Sequence, residues 1–496
     1  MSEKKEEWGS TIGYILSALG MAIGTGNVWR FPRQVVGYDG GPFMIAWLVA
    51  LFVWSIPLLM AEAIIAKKTR LAHTGGFRDF MGKKYAWLGM TCVMILVAIT
   101  ACYSVVVAYC AKYFVNSISG AYAAPITPEA AQAAWDAFRA DPVQVLLFNA
   151  ITMGIAGGVV LLGIQSGIEK VCSVVIPGLF IILVGMTIYL LVKYPGPEGA
   201  IAGWSALFEP NFGKLGNSEI WLAAFTQSAW STGAGWGLLY IYSVSVKENT
   251  HVGNNAMAVG VGDQLGALVA ATVVVPAIFA VAADPLAIMG SNNFGLTFIW
   301  LTTTFSMMDG GTVLSSLFFL VLFGAGVTSM FAMVEVGVHN LTDCGWSRKK
   351  AAAAVMIGEF AIGIPSCIWP GFWANQDWAT GMGLLFAGLL YAICIMKHGA
   401  NKVLDEYIND EYSSKIYKIG RWWSVLIRLF PVFFVFLFGW WTIQSIGWYP
   451  GEWWNPFLAE STGTFYAWVI VYCLAGFILT KLFMKKYKSG PMTVEE

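Results

Sequence analysis

Apolar residues fall into blocks of 18 or more along this chain, and twelve such spans can be placed in its 496 residues. A hydrocarbon layer about 30 Å thick is crossed by roughly 20 apolar residues in a helix, so each block is long enough to span a membrane. The spans fall near 11–34, 43–66, 87–112, 144–163, 171–193, 219–244, 255–281, 313–339, 350–370, 379–396, 424–446 and 463–484. Composition excludes the water-soluble alternative. Charged residues make up 12% of the chain and hydrophobic ones 57%, whereas a soluble surface of this size calls for roughly 25% charge. The expected fold class is therefore an all-α polytopic membrane protein with 12 transmembrane helices.

Basic residues orient the spans. Lys67, Lys68, Arg70, Arg78, Lys83 and Lys84 crowd one link, Arg348, Lys349 and Lys350 another, and Lys397, Lys402, Lys415, Lys418 and Arg421 a third. All lie on the side of the N-terminus, and the 282–312 link opposite has no Lys or Arg. By the positive-inside rule both termini are expected in the cytoplasm of a cell whose plasma membrane holds the protein. Net charge is zero, from 29 basic and 29 acidic residues, so nucleic acid is not an expected partner. The eight cysteines (Cys92, Cys102, Cys110, Cys172, Cys344, Cys367, Cys394 and Cys473) form no CxxC pair and read as buried thiols. No removable signal peptide is expected, because no small-residue cleavage site follows a short apolar region.

Two spans look interrupted. The first contains Gly20-Met21-Ala22-Ile23-Gly24-Thr25-Gly26-Asn27, and the sixth contains Ser231-Thr232-Gly233-Ala234-Gly235-Trp236-Gly237. Glycine costs about 1 kcal/mol relative to Ala inside a helix, and in membranes it often serves close helix packing instead. Two Gly-dense runs, each beside a hydroxyl or amide and five spans apart, point to two inverted halves that each begin with a broken helix. Backbone ends exposed at such breaks hold anions and sodium at the membrane midplane. The predicted organisation is a 1–10 N-terminal tail, a first repeat over 11–193 and a second over 219–396. A 397–423 cytoplasmic segment, two further helices over 424–484 and a 485–496 tail complete it.

The segment Asn27-Val28-Trp29-Arg30-Phe31-Pro32 strongly resembles the signature of the neurotransmitter:sodium symporter family. Supporting matches are Trp8, Gly40-Gly41-Pro42-Phe43, Ile56-Pro57-Leu58 with Glu62, and Gly167-Ile168-Glu169-Lys170 with Pro177. Gln227 and Ala325-Gly326-Val327-Thr328-Ser329 with Glu335 extend the likeness through the tenth span. The resemblance, to the prokaryotic branch, implies the leucine-transporter-like fold, an inverted 5+5 repeat with helices 1 and 6 broken. It also implies sodium-coupled symport of an amino acid into the cell by alternating access, with one or two Na+ ions.

Residue roles follow from that resemblance. One sodium would be held by carbonyls of Gly20, Ile23 and Ala325 with the hydroxyls of Thr328 and Ser329, unless those hydroxyls only bond back to their own helix. A second would take the Ala22 carbonyl, Asn27, Ser231 and Asp263. A carboxylate in the middle of an apolar span is costly and points to function by itself. Asp263 would supply the negative charge that animal relatives draw from chloride, making transport chloride-independent. The substrate carboxylate would meet backbone N–H groups near Thr25 and Gly26 and the hydroxyl of Tyr103. Monoamine carriers place Asp where this chain has Gly24, so a substrate bearing its own carboxylate is implied. Ile99, Thr25, Trp230, Gly233, Trp236, Ser329 and Met333 would line the side-chain pocket, Ala22 and Ser231 would also meet the substrate, and Trp236 in place of a usual Phe favours a small neutral amino acid. A larger hydrophobic or aromatic one, for which Gly233 returns space, is the alternative.

An outer gate would pair Arg30 with Asp377, or with the acidic position read as Gln376. An inner gate would join Lys5 and Trp8 to Asp343, with Lys5 lacking the planar fork of the family's usual Arg. Four histidines and no HExxH, GxSxG or P-loop pattern argue against an enzyme. A binding protein with little flux is the remaining rival.

Overall fold

The computed structural model describes residues 6–196, 199–412, 417–488 and 490–491. Helices account for the architecture, and the described residues contain no strand beyond an isolated bridge between Gly40 and Pro210. In a bilayer a helix satisfies every backbone group internally, which is why the long apolar runs take this form. Among the described residues ten helices are long and apolar enough to cross a membrane, and one bent pair joins them if counted as a single span. Below, "inner" denotes the end at which the described residues begin and finish and "outer" the opposite end.

The bent pair is α1 (Thr11–Ala22) and α2 (Thr25–Gly37), which meet at 58°. They are followed by α3 (Gly41–Thr69), a short inner helix α4 (His73–Met81) and the long α5 (Ala86–Ile118). An outer helix α6 (Pro128–Arg139) leads to α7 (Pro142–Leu161) and α8 (Ile164–Lys193). The sixth expected span is two helices, α9 (Ser218–Thr232) and α10 (Leu238–Ser243), separated by a turn over 233–237. Then come α11 (Val252–Val281), α12 (Gly311–Asp343), α13 (Arg348–Ile368), α14 (Pro370–His398), α15 (Trp422–Trp448) and α16 (Thr462–Phe483).

The two broken helices sit at the centre of the bundle. α1 packs on α8, α11 and α12, α2 on α11 and α9, and α10 on α3 and α12. α5 and α12 make the most extensive pairing in the molecule, a rigid wall beside both breaks. By contrast α15 and α16 expose apolar side chains such as Val435, Phe436, Leu474 and Ile478, as lipid-facing helices do.

Candidate functional site

The first break forms where Ile23 and Gly24 leave helical geometry. Asn27 then caps the new helix, its side-chain oxygen accepting from the Gly24 N–H at 3.0 Å. The Thr25 N–H, at the start of α2, donates to the Tyr103 hydroxyl oxygen at 3.2 Å, which leaves that hydroxyl's own proton available to another acceptor. Gly24 is tightly enclosed: a Cβ there would lie 2.9 Å from the Tyr103 hydroxyl and 3.1 Å from Ser329 Oγ. A Cβ on Gly26 would meet nothing within 4 Å.

The second break is made by three glycines with positive φ, Gly233 (69°), Gly235 (91°) and Gly237 (76°), a backbone that residues with a Cβ adopt reluctantly. Its unpaired amides are received by a buried carboxylate. Glu62 of α3 accepts the N–H of Gly235 at 2.6 Å and that of Tyr240 at 3.4 Å. His73 of α4 reaches the Gly237 carbonyl with Nε2 at 3.1 Å and stacks on Tyr240.

Between the breaks lies a cavity of about 510 Å³ that reaches outward to Trp441, Trp448 and Glu460. All eleven expected substrate positions line it: Ala22, Thr25, Gly26, Ile99, Tyr103, Trp230, Ser231, Gly233, Trp236, Ser329 and Met333. Trp230 and Trp236 meet edge to face, their centroids 5.6 Å apart. Position 381 on α14 admits Trp230 because it is glycine, a Cβ there falling 2.1 Å from the indole. The deep wall beyond these tryptophans is apolar, with Met21, Leu238, Met333, Met382 and Leu385.

The residues expected at the ion sites form two oxygen-rich clusters. In one, the Asn27 amide donates to Asp263 Oδ1 at 2.7 Å and to Ser231 Oγ at 3.0 Å, while the Ser231 hydroxyl donates to Asp263 Oδ2 at 2.8 Å. Asp263 is fully buried. In the other, the Ser329 hydroxyl spans from its own helix to α1, reaching the carbonyls of Ala325 at 3.1 Å and Gly20 at 3.3 Å. Thr328 bonds back to Gly324 and Ala325. Ile23 caps α1 through its N–H to Leu19. Carbonyls, hydroxyls and one carboxylate are a donor set suited to a small hard cation.

At the outer end Arg30 and Asp377 both line the cavity, with no ion pair between them among the described residues. Arg30 instead lies over Trp230, 5.4 Å from the ring centroid. Gln376 faces away, bonded to Ser366 and to the Ala98 carbonyl, so Asp377 is the residue of the two that opens on the cavity. At the inner end Trp8 is buried and donates its indole N–H to the Tyr242 carbonyl at 2.8 Å. Asp343 accepts the Ala72 N–H at 2.7 Å, and Lys5 lies outside the described residues. Ser243, at the inner end of α10, bonds the Tyr14 hydroxyl at 2.8 Å.

Several contributors had no legible role beforehand. Glu62 and Glu335 stood out only as motif matches. Glu335 proves to hold Arg348 through two oxygens at 2.6 and 3.1 Å, and Glu169 receives the N–H groups of Gly9 and Ser10. Trp373, Trp378, Trp441 and Phe294, which give the outer cavity its aromatic wall, carried no signal beyond their type.

Comparison with known proteins gives consistent results. The model of the sodium:neurotransmitter symporter family matches residues 5–128 and 142–485. An uncharacterised sodium-dependent transporter of Methanocaldococcus jannaschii is 29% identical over 440 residues, covering 85% of this chain and 87% of the relative. The human sodium- and chloride-dependent neutral and basic amino acid transporter B(0+) is 23% identical, covering 89% of this chain and 80% of its own length. Among solved structures, MhsT in complex with L-phenylalanine superposes with a TM-score of 0.74 at 26% identity, covering 88% of this chain and 99% of MhsT.

Proposed function

The chain belongs to the sodium:neurotransmitter symporter family, and from that premise we propose that this sodium-dependent symporter carries a neutral amino acid into the cell by alternating access, without chloride. The observation that carries the reading is the single cavity between the two breaks, onto which every expected substrate position opens. Its polar end supplies what an α-amino acid requires. The N-terminus of α2 and the Tyr103 hydroxyl suit the carboxylate, and the carbonyl ends of α1 and α9 suit the ammonium and the ions. Gly24 leaves no counter-ion for a substrate lacking a carboxylate, and the apolar deep wall offers nothing to a charged side chain.

Asp263, with Asn27, Ser231 and the Ala22 carbonyl, would hold one sodium. Gly20, Ile23, Ala325, Thr328 and Ser329 would hold a second. In this reading Asp263 provides the fixed negative charge, so chloride is dispensable. Arg30 and Asp377 close above the substrate, and Lys5, Trp8 and Asp343 close below it. Both termini would lie in the cytoplasm beneath the plasma membrane. The driving force suffices: a charge crossing 100 mV gains about 2.3 kcal/mol, and a tenfold sodium gradient adds about 1.4 kcal/mol.

A small side chain is favoured by the bulk of Trp236 against Trp230. The complex of MhsT with L-phenylalanine supports the second reading, a large hydrophobic substrate accommodated over Gly233. Proteoliposome uptake tests the proposal. An inward sodium gradient should concentrate labelled neutral amino acids above equilibrium, unchanged when gluconate replaces chloride. Absence of sodium-driven accumulation refutes the carrier reading, and collapse in gluconate refutes the role of Asp263. Trp236→Phe separates the substrate classes. It should admit larger amino acids if Trp236 limits the pocket, and gain for none of them would sink the argument from volume.

A further inference from the structure

The indole at the end of α9 rests where the neighbouring helix carries no side chain. Trp230 stands in the last turn of α9, just before the second break, and its ring is met on three sides. The Arg30 guanidinium lies over its face, 5.4 Å from the centroid, and Trp236 meets it edge to face at 5.6 Å. The third neighbour is Gly381 of α14. A Cβ at that buried position would fall 2.1 and 2.6 Å from Cζ2 and Cη2 of the six-membered ring. Gly381 is one turn inward of Asp377 on the same face of the helix. Two turns further along, Gly388 lies against the second break itself, where a Cβ on Gly235 would be 3.0 Å from the Gly388 Cα. Glycines seven residues apart thus let α14 approach both the end of α9 and the turn that follows it.

What a side chain at 381 would do follows from where free space lies. Carbon atoms pack at about 3.5–4.0 Å, so a methyl group there falls roughly 1.4 Å short of ordinary contact with the indole. The ring is rigid and cannot fold aside as an aliphatic chain would. α14 cannot retreat either. On its opposite face a Cβ on Gly383 would already meet Ile95 at 3.3 Å and Tyr472 at 3.4 Å, and Trp373 and Gln376 bond it to carbonyls of α5. With Arg30 and Trp236 in contact on the other sides, the space left to a displaced ring is the cavity of about 510 Å³ that it lines. Met382 and Leu385 of α14 line that same cavity, so the ring would advance into the room beside them.

We infer that Gly381 is a positioning residue for the Trp230 ring and through it determines specificity. By letting the indole rest against the backbone of α14, it keeps the ring out of the substrate's side-chain space and sets the largest side chain the carrier accepts. Gly381 needs no contact with substrate, because it acts through Trp230 alone. This role rests on the reading of the cavity as a sodium-dependent amino-acid site.

The experiment titrates the purified full-length chain in detergent with glycine, alanine, norvaline, leucine and phenylalanine, in sodium and in potassium. Thermal shift gives an apparent Kd for each. In Gly381→Ala the ratio of Kd between the largest and the smallest amino acid that wild type binds should rise at least about tenfold, the penalty of a methylene that a pocket cannot accommodate. Trp230→Phe removes the part of the ring that meets position 381, so W230F/G381A should return to the ratio of W230F alone. A merely structural loss would lower the melting temperature without ligand and leave the ratio unmoved. A ratio in G381A within about threefold of wild type, or no rescue by W230F, overturns the inference. Should G381A fail to fold, W230F should bind the larger amino acids more tightly than wild type, and adding G381A to it should leave its ratio unchanged; failure of either expectation also overturns it. A wild type without sodium-dependent binding of any of the five defeats the carrier reading and this role together, whereas sodium-dependent binding with an unmoved ratio defeats this role alone.

Discussion

Gly24 shows how much a single missing side chain decides. A Cβ there would press on Tyr103 and Ser329, two hydroxyls assigned to opposite ends of the same task, one to the substrate and one to sodium. Gly24→Ala should therefore raise the KM for substrate at least about tenfold, roughly 1.4 kcal/mol of binding, while the melting temperature without ligand changes little. Uptake kinetics and thermal shift together check this, and an unchanged KM would show that the cavity yields at that point. Gly24, Asp263 and Tyr103 were legible in sequence because each is a chemical exception inside an apolar span. Glu62 was not. Its partners are backbone amides 173 and 178 residues away, in the turn after α9 and in α10, and a carboxylate that caps a break looks no different in sequence from one that sits in a gate. Gln376 and Asp377, adjacent in sequence, could be told apart only by the direction each side chain takes from α14.

Among the elements, the interruptions of the first and sixth spans could be read from glycine density, but what holds them open could not. The start of α14 illustrates the limit at helix ends. The apolar pattern begins the tenth span at 379, whereas the helix starts at Pro370. Its polar first turns are helical because Trp373, Asn375 and Gln376 find partners on α5 and α16 and in the loop before α16. α4 is a different case, an inner helix with His73 buried among aromatic rings and bonded to the Gly237 carbonyl. Burial pushes His73 down to about 3, below its ordinary value near 6.5. The unfolded chain thus takes up a proton below about pH 6.5 that the folded chain refuses until near pH 3. Stability contributed by the neutral ring is complete above that window and declines as pH falls through it. Melting temperature should drop between pH 6.5 and 4 more steeply in wild type than in His73→Asn; parallel curves would show that another group governs acid sensitivity.

At the scale of the whole molecule the conformation is asymmetric. The cavity is open to the outer end, while the inner end is sealed by the tail before α1. Trp8 lies against Tyr14 and Tyr242, Gly9 and Ser10 are held by Glu169, and Glu6 approaches Arg348 at 3.4 Å beside Glu335. If these contacts exist only while the inner end is closed, they set the balance between the two faces of an alternating-access cycle, because a contact present in one state alone shifts the population by its own free energy. Truncating a buried Trp costs about 3 kcal/mol or more, which corresponds to a change of roughly 150-fold in that ratio. Position 243 reports the outcome, since Ser243 is fully buried behind Trp8 and bonded to Tyr14. In a chain carrying Ser243→Cys, with the partly exposed Cys473 replaced by Ala, a water-soluble maleimide should label slowly, and adding Trp8→Ala should accelerate labelling by one to two orders of magnitude, on the order of that shift. Sodium should slow the reaction again if the ion sites favour the outward-open state, so equal labelling with and without Trp8 would mean that the seal lies elsewhere among the inner contacts.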